Sequence, residues 1–237
     1  MKDKLADNKY TQEYDKAIKY IYDMMAQGKV GIGDKLPAER VIAEELGIGR
    51  NSIREALSIL GGMGIIERRQ GSGNYISPNI GKSISQTIKM MIALKGVSVK
   101  EVCTFRRLME KSVCNILCEQ GISDAQIKEL RDLLKKMQNS GNDKNAKADK
   151  RFHDLLILDT QNKLLIIIME AVTDVYREWI GYVLEHIDDE GYKKLLKCHI
   201  DILNSIEHRN STAVNEAVDC HYDIIDELFE NAEEGIV

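Results

Sequence analysis

The sequence predicts a mostly α-helical chain in two parts: a small N-terminal unit of short helices closed by a β-hairpin, and a larger all-α antiparallel helical bundle. Three observations carry that expectation. The 237 residues include only two prolines and three phenylalanines, against 43% apolar and 30% charged residues. That mix suits packed helices and lacks the turn punctuation and aromatic strands of a sandwich or barrel. In the first 77 residues, short apolar-periodic stretches alternate with glycine-rich breaks, and from Ser98 onward apolar residues recur at helical spacing almost without interruption.

The first helix is expected over Gln12 to Ala26, where Tyr14, Ala17, Ile18, Ile21, Tyr22, Met24 and Met25 recur with charged residues between them. Gly31-Ile32-Gly33-Asp34 is a connection, and Pro37 is expected in the first turn of a short helix ending at Leu46. Gly47 stops that helix in a left-handed conformation. A further helix runs from Arg50 to Leu60, with Ile53, Ala56, Leu57 and Leu60 on one face and Arg50, Asn51 and Arg54 largely on the other. Gly61-Gly62-Met63-Gly64 closes it. Ile65 to Arg69 and Asn74 to Ile76 flank Gln70-Gly71-Ser72-Gly73 as a hairpin with a glycine-rich tip.

Two short helices about a glycine turn, followed by a hairpin, make a winged helix-turn-helix. In that motif the N-terminal end of the second helix enters the major groove. Arg and Asn there suit guanine and adenine edges, and either can hold a phosphate. The net charge of −5 looks wrong for a nucleic-acid binder, but it is unevenly spread. Residues 1–79 carry 12 Lys+Arg and 11 Asp+Glu, a net of +1, whereas residues 80–237 carry 21 and 27, a net of −6. The local field at the contact surface governs DNA association, so the asymmetry permits it.

Lys35-Leu36-Pro37-Ala38-Glu39-Arg40, Ile48 to Leu57 and Gly64 to Ile76 resemble the DNA-binding domain of GntR-type bacterial transcription regulators, over most of residues 10–77. The resemblance implies DNA contacts from Arg40, Arg50 and Arg54, and from Gln70 and Gly71 at the wing tip; Asn51 and Ser52, at the same end of the recognition helix, complete the expected DNA-binding set. One position departs from the family pattern: Gly49 stands where Ser or Thr usually caps the recognition helix. Glycine caps only slightly less well, so the fold should survive while one DNA contact is lost.

A short connecting helix is expected within Ser77 to Leu94, on Ile84, Ile88, Met91 and Ile92. Ser98-Val99-Lys100-Glu101 is a capping-box pattern that opens a helix reaching about Glu119. Further helices are expected over Ser123 to Gln138, Ala146 to Leu158, Lys163 to Glu185, Glu190 to Glu207 and Thr212 to Asn231, with a polar loop at Asn139 to Asn145. The domain boundaries are then 8–77 for the DNA-binding domain, 78–97 for a linker and 98–235 for the bundle. The longest apolar run, Leu164 to Met169, is far short of the ~20 residues of a membrane span. With no signal-peptide stretch at the N-terminus, a cytoplasmic protein is expected. The five cysteines are odd in number and are expected as reduced thiols, with Cys114 and Cys118 as buried small hydrophobes.

Within the bundle, Asp149 and His153 stand four apart on one helix face. His199 and His221 sit among apolar neighbours at helical spacing and so point to the core, where a neutral imidazole needs a partner. Three imidazoles and a carboxylate suit a divalent cation such as Zn²⁺; hydrogen-bonded core histidines are the alternative on spacing alone. His186 and His208 look like helix-end surface residues.

Residues 98–232 resemble the effector-binding FCD domain of the FadR subfamily of GntR regulators. Phe105 to Glu110, Asp149 to Leu156 with Thr160-Gln161-Asn162, and His199 to Leu203 followed by His221 carry the likeness. It implies metal binding by Asp149, His153, His199 and His221, with Zn as the expected ion and Ni, Mn or Fe as alternatives. It also implies that Arg106 reaches the pocket, where a guanidinium would pair with a small carboxylic acid; a surface salt bridge with Glu110 is the other reading of Arg106. Trp179 and the Tyr176 to Ile180 segment are assigned to packing. The expected function is a homodimeric transcription regulator that binds a palindromic operator in double-stranded DNA and is controlled by a small carboxylate beside a metal. A metalloenzyme and a purely structural metal are the competing readings, the first lacking an evident general base.

Overall fold

The computed structural model describes residues 12–139 and 146–234. The ends of the expected domains at residues 8 and 235, and the polar loop beyond Asn139, lie outside them. The chain forms two compact units that part between Ser83 and Ile84.

In the first unit, α1 (Glu13–Ala26), α2 (Glu39–Leu46) and α3 (Arg50–Gly62) pack around Ala17, Ile21, Ile42, Ile53, Ala56 and Leu60. The 3.6-residue spacing of these positions puts them on one face of each helix. Gly47 takes φ 63°, the left-handed cap expected between α2 and α3. Pro37 does not occupy the first turn of α2. The helix starts at Glu39 behind Ala38 as N-cap, because residues 33–36 are drawn out alongside the hairpin. α3 runs two residues past Leu60 through Gly61 and Gly62, and the reversal falls at Gly64, where φ is 73°.

The hairpin β1 (Ile66–Arg69) and β2 (Gly73–Ile76) is antiparallel, pairing Ile66 with Ile76 and Arg69 with Gly73. Leu36 N–H donates to Asn74 O at 2.8 Å and Ile76 N–H to Asp34 O at 2.9 Å, so the approach to α2 forms a third strand-like edge of the wing.

The second unit holds α5 (Val99–Gln120), α6 (Asp124–Gln138), α7 (Ala146–Asp159), α8 (Lys163–His186), α9 (Asp189–Glu207) and α10 (Ser211–Glu234). α4 (Gly81–Ala93) leads into it, and its Ile88 and Ile92 pack on Val102, Val172 and Val175. Ser98 caps α5 and Ser123 caps α6, each with the reciprocal side-chain bond of a capping box. Among the described residues, the short links at 121–123, 160–162, 187–188 and 208–210 reverse the chain. α10 lies along α9 and α5, while α7 packs on α5, α6 and α8. This places the inward faces of α5, α7, α9 and α10 about one point in the core.

Candidate DNA-reading face and metal centre

The face of α3 opposite its buried stripe presents Arg50, Asn51 and Arg54 to solvent, and Gln70 and Gly71 are exposed at the wing tip. Arg40 is exposed on α2 and bonds Glu44 at 2.6 Å, while Arg54 Nε donates to Glu39 at 2.9 Å. Arg50 makes no ion pair among the described residues. Arg40 and Arg50 line one groove with Lys35 and the wing residues Ser72, Gly73 and Asn74. Sequence reasoning left Lys35 out of the DNA set. φ at Gly73 is 123°, a conformation that favours glycine, and a Cβ there would meet Lys35 Cε at 3.1 Å.

Ser52 is placed differently from the arginines. Its hydroxyl donates to Glu13 Oε2 at 2.8 Å, and Gly49 N–H lies 3.4 Å from the same oxygen. A carboxylate from α1 therefore stands at the N-terminus of α3, where residue 49 has no hydroxyl, and its charge suits the positive end of the helix.

In the second unit, Asp149 and His153 project from α7, His199 from α9 and His221 from α10, all four buried. One donor atom from each falls within 4.8 Å of every other. His153 Nε2 and His221 Nε2 each lie 3.1 Å from His199 Nε2, and Asp149 Oδ1 lies 3.2 Å from it. Three ring nitrogens facing one another cannot all be satisfied by one another's protons. Nitrogen ligands at about 2.0–2.1 Å around a tetrahedral zinc stand roughly 3.3 Å apart, so this donor set fits a divalent metal.

The electrostatics agree with that fit. Burial alone would raise the Asp149 carboxyl, but its hydrogen bond to His199 and the three imidazoles hold it well below the ordinary value. Burial, then the neighbouring His199 and His153, push His221 well below an ordinary imidazole and keep it neutral. His186 and His208 lie exposed at the ends of α8 and α9, as expected.

Arg106 and Glu110 do form the (i, i+4) pair, yet it is not a surface salt bridge. Both side chains are buried, with Arg106 Nε donating to Glu110 Oε1 at 3.1 Å. The same oxygen lies 3.1 Å from His153 Nδ1, an ion-pair distance without full hydrogen-bond alignment. Burial would raise Glu110, but His153 and Arg106 hold it far below its usual range. Glu110 thus ties the arginine to a candidate metal ligand, the outer-shell arrangement that orients such histidines.

Arg106 lines a small cavity together with Asp149, His153, Tyr176, His221 and Tyr222. Arg106 Nη1 and the Tyr222 hydroxyl are buried there without a partner among the described residues. The Arg106 guanidinium lies 5.1 Å from the Tyr176 ring centre. Tyr176 and Ile180, assigned to packing from sequence, line this cavity; Trp179 is 39% exposed. Sequence reasoning missed Tyr222 and the role of Glu110. The available signals were faint: Tyr222 follows His221, and Glu110 falls one turn after Arg106.

Both halves have counterparts among known proteins. Residues 13–76 match the bacterial regulatory proteins of the gntR family, and residues 101–223, more than half of the chain, match the FCD domain. The chain belongs to the GntR family. This GntR-family regulator is 32% identical over 157 residues to the HTH-type transcriptional regulator LutR of Bacillus subtilis, a match covering 65% of the chain and 71% of LutR. It is 27% identical over 219 residues to the Uxu operon regulator of Haemophilus influenzae, covering 90% and 80% of the two chains. Its fold matches Streptococcus agalactiae GntR with a TM-score of 0.71 at 24% identity, over 90% of this chain and 98% of that one. The protein is a transcription regulator with a helix-turn-helix domain and an FCD effector-binding domain, not an enzyme. Among the described residues, no helix is long and apolar enough to cross a membrane.

Proposed function

We propose that this GntR-family regulator binds a palindromic operator as a homodimer, and that a small carboxylate bound beside a divalent metal, zinc first among the candidates, sets its DNA affinity. Arg40, Arg50, Asn51, Arg54 and the Gln70–Gly71 tip form the DNA face, with Ser52 held back by Glu13. Two copies would address two half-sites, as helix-turn-helix dimers do. Asp149, His153, His199 and His221 hold the metal, which when bound supplies positive charge for a ligand oxygen. Arg106 binds the ligand's carboxylate through its free Nη1, and Tyr222 donates its hydroxyl.

The observation that carries the effector reading is the pair of unpartnered buried groups, Arg106 Nη1 and Tyr222 OH, in the same small cavity as three of the four candidate ligands. Burying a guanidinium nitrogen and a hydroxyl with no partner is costly, and a bound carboxylate removes that cost. The space beside these groups is small, which favours a compact acid over a bulky one. Differential affinity of the acid for two dimer geometries would then shift operator affinity by linkage.

The test is metal analysis of untagged protein, followed by thermal melting against a panel of small carboxylic acids with and without chelator. About one metal per chain and a melting rise for one acid, abolished by chelator, are expected. His199→Ala and His221→Ala proteins that keep full metal content and full ligand response would overturn the reading.

A further inference from the structure

Cys198 and Cys220 take no part in the metal set, yet each immediately precedes one of its members, His199 on α9 and His221 on α10. The two cysteines are equally far in sequence from Arg209 in the turn between these helices. Antiparallel packing of α9 on α10 therefore brings them level. Their sulfurs lie 2.8 Å apart, and both are free thiols, Cys198 buried and Cys220 exposed. A disulfide requires two side chains directed at each other from neighbouring backbones, and a sulfur separation of 2.8 Å shows that this pair is so directed. The other three cysteines are buried.

We propose that Cys198 and Cys220 are a dithiol modification site, which hydroperoxides oxidise to an intrachain disulfide that ties α9 to α10 directly behind His199 and His221. Cys220, open to solvent, meets the oxidant. Its thiolate sulfur attacks one oxygen of hydrogen peroxide, the O–O bond breaks, and the second oxygen leaves as hydroxide and takes up the thiol's proton to become water. The product is a sulfenic acid on Cys220. The Cys198 sulfur then attacks the sulfenic sulfur; the S–S bond forms, the S–O bond breaks, and the oxygen departs as water with the Cys198 proton. In sum, two thiols and one peroxide give one disulfide and two waters, with two electrons passing from sulfur to peroxide. The tie places two of the four metal-site residues on one covalent frame, so oxidised protein should lose metal more slowly.

The experiment uses the full chain, metal-loaded and metal-free, treated with stoichiometric hydrogen peroxide. Intact mass, a count of free thiols and peptide mapping without reductant are read, together with the rate of metal loss to a chelator. Two of the five thiols should disappear in a cross-linked 198–220 peptide, and metal loss should slow several-fold, both reversed by dithiothreitol. Cys220→Ser should give no cross-link, and Cys198→Ser should stop at a Cys220 sulfenic acid that dimedone traps. Retention of all five thiols, or disulfides formed through other cysteines or between chains, overturns the proposal. A 198–220 cross-link with an unchanged rate of metal loss overturns the link to the metal centre. Cross-linking in metal-free protein is read independently, so failure of the metal assignment is distinguishable from failure of the dithiol.

Discussion

Glu110 is the most informative single position in the bundle. Its carboxylate is buried, accepts from Arg106 Nε at 3.1 Å and lies 3.1 Å from His153 Nδ1. Glu110→Ala leaves a buried guanidinium without its counter-charge, a loss of about 3–5 kcal/mol for breaking a buried pair from one side. At about 2–4 °C per kcal/mol for a chain of this size, the chelated protein should melt roughly 10 °C lower. Glu110→Gln keeps an amide oxygen for Arg106 and loses only the charge, so it should cost about 1–3 kcal/mol. Its sharper effect is on the metal. Without the carboxylate at His153 Nδ1 the ring is less basic and less firmly oriented, which should weaken metal affinity about 10–100-fold. Differential scanning calorimetry in chelator measures the first quantity, and competition with a chromophoric chelator the second. A Glu110→Ala protein that melts within about 2 °C of wild type would refute the reasoning, because Arg106 would then be finding water or another partner in the core. Unchanged metal affinity in Glu110→Gln would separately dismiss the coupling to His153.

Four further outcomes are expected. Burial lowers His153, but the Glu110 charge outweighs it and raises the imidazole above its ordinary value. In metal-free protein the resulting stability is therefore full below about pH 6.5 and lost as pH rises through the raised value. Metal must displace that proton, so affinity should fall as pH drops through the same value, and calorimetry in buffers of differing ionisation enthalpy should count a released proton; uptake without release near neutral pH would contradict this. Tyr222→Phe removes a hydroxyl that has no partner among the described residues, so melting should barely change while affinity for the active acid falls by about 0.5–1.5 kcal/mol, roughly 3–10-fold; an equal affinity in titration would exclude Tyr222 from the ligand. Arg50→Ala should weaken operator binding by about 1–3 kcal/mol in fluorescence anisotropy at fixed salt, with the loss confined to specific DNA if Arg50 reads a base and shared by all DNA if it holds a phosphate. Glu13→Ala removes the carboxylate at the start of α3 and should lower the melting temperature of the first unit, and an unaltered melting transition there would show that Gly49 and Ser52 do without it.

Much of the fold was legible because it is local. The Ser98–Glu101 box, the Ser123 cap and the left-handed Gly47 are decided within a few residues of chain, by backbone groups at helix ends that need partners. The apolar stripe Ile53, Ala56, Leu57 and Leu60 likewise announced both a helix and its buried face, and thereby the exposed side carrying Arg50 and Arg54. Pro37 shows where local reasoning stopped. It carries a good first-turn signal, yet pairing of residues 33–36 with the wing keeps the chain extended until Ala38.

The candidate site divides in the same way. Asp149 and His153 were readable as one face of one helix, helical spacing turned His199 and His221 toward the core, and the resemblance matched all four to one metal set. Only the tertiary structure brings donors from α7, α9 and α10 to within 4.8 Å of one another, turns Arg106 and Glu110 inward, sets Tyr222 across the cavity and levels Cys198 with Cys220. Helical periodicity determines which face of its own helix a residue occupies. It carries no information on which other helix that face will meet or at what height, because those are fixed by the simultaneous packing of the whole core.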